Sequence, residues 1–264
     1  MASTIISAAA ATAQESPRQA QLMYERIVAS IVEHRLQPGT KLPEERLAAL
    51  FAVSRTQVRI VLQRLAHEGL VDQQLNRGAF VATPSRAHTR EIFEVRHVIE
   101  PWLVNRVCER ARGRRLAPLR RVLKDEQKAR RANDRHAIVR YSGEFHRVLA
   151  ELSENEHLTR TMHELTAQTC LAILLYHTPT AVSCRVDEHV AIVEAIAQQD
   201  PDRACALMRE HLEHIESALA EEPRVVEVDV LDDLLETPDR TAGPGASRKS
   251  RHAARVRPAR KEAP

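Results

Sequence analysis

Apolar residues in the first third of the chain recur at helical spacing and then switch to alternation. Leu22, Ile27, Ile31 and Val32 share one face of a helix predicted over residues 17–35. Leu47, Ala48 and Leu50 mark a second, short helix, and Phe51-Ala52-Val53 a tight turn. Val58, Val61, Leu62 and Leu65 then form the buried stripe of a third helix, with Ser54 at its N-cap and Gly69 at its end. Leu70-Val71-Asp72 and Ala79-Phe80-Val81 read as two short strands around a polar turn that ends at Arg77-Gly78. This is a helix-turn-helix followed by a β-wing. After a linker at Ala82-Thr83-Pro84-Ser85, helical spacing returns and persists to Ala220. Helices are predicted near 86–112, 116–133, 136–153, 156–177, 183–199 and 201–220, an all-α bundle. Pro101 should kink or break the first of these, whereas Pro201 suits a helix start capped by Asp200. The expected fold is mainly α: an N-terminal winged helix-turn-helix over 17–83 with a small β-wing, then a C-terminal all-α bundle over 86–220.

The ends of the chain differ from this pattern. Residues 1–16 lack a basic n-region and their apolar run is broken by Ser and Thr, so they read as a disordered leader. Residues 221–264 are acidic and then basic, with eight Arg/Lys between Arg240 and Lys261. One short helix is predicted around Val230 to Leu235, and the rest is too polar to fold alone. This basic end either meets DNA phosphates nonspecifically or is simply solvated. No apolar run approaches the roughly 18 residues of a membrane span. Four cysteines without CxxC spacing, Cys108, Cys170, Cys184 and Cys205, read as reduced thiols of a cytoplasmic protein. The net charge of +3 does not by itself indicate nucleic acid; the basic residues matter by position.

That position is the front of the third helix. Arg55, Thr56, Gln57 and Arg59 lie in or near its first turn, off the buried stripe. Such side chains reach guanine N7/O6, adenine edges or phosphates when a helix N-terminus enters a major groove. Arg77 at the wing tip suits the neighbouring minor groove. The other reading is an ordinary helical hairpin with a solvated basic end.

Residues 22–83 resemble the winged-helix domain of GntR-family bacterial transcription regulators. The resemblance is carried by Leu36-Gln37-Pro38-Gly39, Leu42, Leu47-Ala48, Val53-Ser54-Arg55-Thr56, Val58-Arg59, Leu62, Leu65, Glu68-Gly69-Leu70-Val71 and Arg77-Gly78-Ala79-Phe80-Val81. It implies DNA contacts at Ser54, Arg55, Thr56, Arg59, Arg77 and Gly78. Gln57 replaces the family's common Pro and adds a side chain suited to adenine. Ile60-Val61 replace its common Glu-Ala, and Glu45 stands where some members are basic.

The bundle holds most of the thirteen histidines. His146, His189 and His211 each lie beside the apolar stripe of a different predicted helix, so folding can bring three imidazoles together. Three such ligands suit Zn²⁺ or a similar divalent ion with coordination left open. Hydrogen-bonded core or surface histidines are the other reading. Residues 86–220 resemble the helical FCD domain of the FadR subfamily of GntR regulators, through Arg96, Glu100 and Pro101; Phe145-His146 to Ser153 and Asn155; Glu188-His189, Ile192, Ala195-Ile196 and Asp200; and Ala204 with His211-Leu212. In metal-binding members, these His positions coordinate a divalent ion (Zn, Ni or Mn), with an Asp one turn before the first. Here that position is Ser142, which implies a three-His site completed by water or an effector carboxylate. The resemblance also implies a small organic-acid effector, with Arg96 as a bidentate clamp; an ion pair of Arg96 with Glu100 is the alternative.

The expectation is a ligand-responsive repressor released by a small carboxylate metabolite. It would bind double-stranded DNA operators with inverted-repeat half-sites as a homodimer, because one short helix reads too few bases alone. Two rivals are a DNA-binding protein whose bundle only dimerises, and a metal-dependent hydrolase. The hydrolase is disfavoured because the chain has no HExxH, nucleophile elbow or Gly-rich phosphate loop.

Overall fold

The computed structural model describes residues 18–176 and 186–220. The expected leader, the expected tail with its helix near Val230 to Leu235, and Cys184 lie outside the described residues.

The N-terminal unit comprises α1 (18–32), α2 (Glu44–Phe51), α3 (Arg55–His67), β1 (Val71–Gln74) and β2 (Gly78–Val81). The stripe Val58, Val61, Leu62 and Leu65 is buried against Met23, Ile27, Ile31, Leu36, Leu42 and Leu47. Ser54 caps α3 by a reciprocal box. Its hydroxyl accepts from the Gln57 backbone N–H, and the Gln57 side chain accepts from the Ser54 N–H at 3.1 Å. The strands are antiparallel, Val71 opposite Val81 and Gln74 opposite Gly78, and Lys41 bridges to Phe80 beside them.

The bundle comprises α4 (Arg86–Arg110), a 3-10 turn (Gly113–Leu116), α5 (Ala117–Arg131), α6 (Arg135–Leu152), α7 (Glu156–Tyr176), α8 (Val186–Ala197) and α9 (Pro201–Ser217). Helix α4 packs on α6, α7, α8 and α9, and α5 on α6 and α8, around Leu103, Val107, Phe145, Leu149, Ile192 and Met208. The expected break at Pro101 does not occur, and α4 continues to Arg110. An interior proline costs about 3 kcal/mol. Burial of Leu103, Val104 and Val107 just beyond it keeps the helix from ending there, and the Cys205 thiol donates to the Pro101 carbonyl at 3.1 Å.

The two units share an interface. Ala167 and Leu171 of α7 complete the N-terminal core. Arg140 on α6 donates to Glu33 at 2.9 Å, and the His136 ring meets the Glu33 carbonyl. Gln168 on α7 donates to the carbonyl of Glu68, the C-cap of α3, at 2.7 Å. A bundle helix thus holds the end of the third helix. Gly69 makes this approach possible. Its φ is +69°, and a Cβ there would lie 2.6 Å from Gln168 Nε2. Gly69→Ala should therefore cost about 1–3 kcal/mol through left-handed strain and displacement of Gln168. The urea midpoint of the purified variant measures it; an unchanged midpoint would mean that the turn relaxes freely.

Candidate functional site

The outward face of α3 carries Arg55, Thr56 and Arg59, all exposed. Arg55 pairs with Glu45, and Arg59 Nε donates to Glu44 at 2.8 Å, so two carboxylates of α2 hold both guanidiniums in the free protein. Gln57 is half-buried, its amide oxygen occupied by the cap. The wing is a separate projection. Arg77 is exposed with its guanidinium 5.6 Å from the Phe80 ring centre, and Gly78 takes φ +97° to open β2. The predicted contact residues therefore form two groups, one at the α3 N-terminus and one on the wing.

Inside the bundle, α6, α8 and α9 bring His146, His189 and His211 together, all fully or almost fully buried. His211 Nε2 lies 3.2 Å from His189 Nε2 and 3.3 Å from His146 Nε2. Each opposite ring nitrogen faces a carboxylate. His146 Nδ1 is 2.5 Å from Glu100, His189 Nδ1 is 2.9 Å from Glu126, and His211 Nδ1 is 2.9 Å from Glu188. A neutral imidazole has one N–H, and a carboxylate acceptor draws it to Nδ1. Three Nε2 lone pairs are then turned toward one another.

The surrounding charges fix this arrangement. Burial opposes ionisation of Glu100, but Arg96 and His146 outweigh it and hold the carboxyl well below the usual range. Burial likewise dominates at His146, outweighing Glu100, and lowers its pKa to about 3, so the ring is neutral at physiological pH. Glu126 is lowered against burial by His189 and Arg130, and Glu188 to about 2 by His211 and His214. These are the outer partners that orient metal-ligating histidines elsewhere.

Ser142 is half-buried one turn before His146. Arg96 is buried in ion pair with Glu100 at 2.6 Å, on its own helix; Nη1 donates to Thr169 at 3.2 Å, and Nη2 is buried without a hydrogen-bond partner. Sequence reasoning passed over Glu126, although a glutamate between Val122, Leu123 and Ala129 on an apolar stripe is itself a signal. Glu188 serves His211 and His214, while Glu144 pairs with Arg147.

Fold and site together define a winged-helix DNA-binding protein joined to a helical bundle with a buried histidine centre. Comparison with known proteins gives the family. Residues 19–81 match the gntR family of bacterial regulatory proteins, and residues 91–214 match the FCD domain. The HTH-type transcriptional repressor NanR of Salmonella newport (strain SL254) is 30% identical over 224 residues, covering 74% of this chain and 83% of that protein. The Nta operon transcriptional regulator of Aminobacter aminovorans is 27% identical over 182 residues, 69% of this chain and 85% of its own. In fold, the chain is similar to a GntR regulator from Rhodococcus sp. RHA1 (TM-score 0.64, 23% identity, 77% of this chain and 96% of that one). It is also similar to E. coli McbR/YncC (TM-score 0.66, 18% identity, 74% and 93%). The chain belongs to the GntR family of bacterial transcription regulators, with an FCD domain as its helical part. As a regulator it is not an enzyme, which sets the hydrolase reading aside.

Proposed function

We propose that the protein is a repressor that binds an inverted-repeat operator as a homodimer. A small carboxylate metabolite, bound beside a divalent ion at His146, His189 and His211, releases it. The carrying observation is the trio of inward Nε2 atoms, 3.2 and 3.3 Å apart where measured along the chain of contacts. A ligand–metal distance of about 2.0–2.1 Å places neighbouring nitrogens about 2.8–3.4 Å apart, from octahedral to tetrahedral angles. With each N–H committed to a carboxylate, the facing lone pairs repel unless a cation lies between them. A bound Zn²⁺, Ni²⁺ or Mn²⁺ would supply a Lewis acid with open positions for water or a carboxylate. The chain itself contributes three imidazole rings, three carboxylates that aim them, the Ser142 hydroxyl one turn before His146, and the unpartnered Arg96 Nη2 as an effector contact.

Repression is carried over from NanR, a repressor by name, 30% identical to this chain. An operator-binding protein works beside the chromosome, in the cytoplasm, and no described helix is long and apolar enough to cross a membrane. Fluorescence anisotropy of the operator with small carboxylates, with and without chelator, tests the whole reading. One acid should lower affinity by roughly 5- to 150-fold, the usual span of coupling between sites, and only in metal-loaded protein. If no acid acts and stripped protein behaves like loaded protein, the bundle only dimerises.

The dimer has its own support. Val95, Val98 and Trp102 are 41%, 75% and 46% exposed and follow i, i+3, i+7 spacing, so they form an apolar stripe on one side of α4. A second copy related by a two-fold axis would cover this stripe with its own, as an inverted-repeat operator requires. Val98→Glu places a charge at its centre without disturbing the bundle core. It should shift the protein from dimer to monomer in light scattering and weaken operator binding. A variant that stays dimeric would move the interface elsewhere.

A further inference from the structure

Helix α3 buries Val58, Val61, Leu62 and Leu65, and the face opposite that stripe is formed by Thr56, Arg59, Ile60 and Gln63. At 100° per residue, Ile60 falls within the outward face, one turn beyond Thr56 and next to Arg59. It is 59% exposed. A single exposed isoleucine on an ordinary surface helix needs no explanation. Here it stands among the polar side chains of the helix that enters the major groove, where water is displaced on binding.

We infer that Ile60 is a specificity-determining residue that packs on the 5-methyl group of a thymine in each operator half-site. Every base pair presents hydrogen-bonding groups in the major groove, but only thymine presents a methyl there. An isoleucine has no donor or acceptor with which to compensate a desolvated cytosine amine or guanine oxygen, so those bases are disfavoured at its position. Thr56 one turn before it and Gln63 one turn after it supply polar groups for neighbouring bases along the same ridge. Burial of both apolar groups against each other stabilises the complex without adding charge, and therefore discriminates between sequences where phosphate contacts do not.

The inference rests on α3 being the DNA-reading helix, and the experiment separates the two claims. An operator is selected from a randomised duplex library with wild-type protein and with Ile60→Ala. Each half-site thymine is then replaced in turn by uracil, which lacks the methyl but keeps the pairing edge and the charge. Wild-type affinity should fall about fourfold at one position per half-site, the effect of one buried methyl. Ile60→Ala should show no drop there and no thymine preference in selection. Identical responses of the two proteins to uracil at every position overturn the inference. Arg55→Ala and Arg59→Ala are the controls: if both bind the selected operator as tightly as wild type, the reading of α3 itself fails. Circular dichroism of Ile60→Ala should match wild type, since the side chain is outside the core.

Discussion

Protein dialysed against Zn²⁺, Ni²⁺ or Mn²⁺ is expected to retain one ion per chain, and His189→Ala to retain almost none. The three histidines come from three helices, so losing one leaves a two-ligand site and removes a cross-link between α6, α8 and α9. Ligand present at a hundred times its Kd adds about 2.7 kcal/mol to stability. For a domain of this size that is several degrees in Tm, and His189→Ala should not show the increment. Ser142→Asp should raise metal affinity by adding a carboxylate one turn before His146. Glu126→Gln keeps a hydrogen-bond acceptor for His189 but removes the charge behind it, and affinity should fall about tenfold, the lower end of effects from outer partners. Elemental analysis and thermal unfolding of the four proteins measure all of this. If wild type and Ser142→Asp both retain no ion, the histidines are structural, and the effector pocket rests on Arg96 and its neighbours.

The elements of the fold were legible because their signals are local. Ser54 as cap, the four-residue stripe of α3 and the two strands follow from spacing and turn chemistry alone. So did the three helices that carry the histidines. Pro101 does not break α4, because the penalty of an interior proline is local, whereas what outweighs it is packing of α4 by helices about a hundred residues away. Glu126 was hidden for a similar reason. Its partner His189 is 63 positions distant, and neither residue reveals the other in sequence. Gln168 sits on a polar face of α7 like any solvated glutamine, and only the folded chain places it on the Glu68 carbonyl. Arg96 was left between an effector clamp and an ion pair with Glu100. The geometry supplies the ion pair and still leaves Nη2 without a partner.

Operator affinity is expected to fall by roughly 1–3 kcal/mol in Arg55→Ala and again in Arg59→Ala, with the fold intact. Both side chains are exposed, 58% and 61%, and neither touches the buried stripe. In the free protein they are held by Glu45 and Glu44, so DNA must take over from two carboxylates. Exposed pairs of this kind are worth only about 0–1 kcal/mol each, less than a charge-assisted contact to a base edge or phosphate, so the exchange favours DNA. The same comparison predicts that Glu45→Gln leaves specific binding intact or slightly tighter while strengthening binding to unrelated DNA, because a negative charge beside the phosphates is gone. Salt titrations distinguish the kinds of contact. An arginine on phosphate lowers the salt slope by about one when removed and weakens all sequences alike; an arginine on guanine relaxes preference at one position. If Arg55→Ala and Arg59→Ala both bind the selected operator like wild type, α3 does not read DNA through its N-terminal turns, and the wing with Arg77 would have to carry recognition.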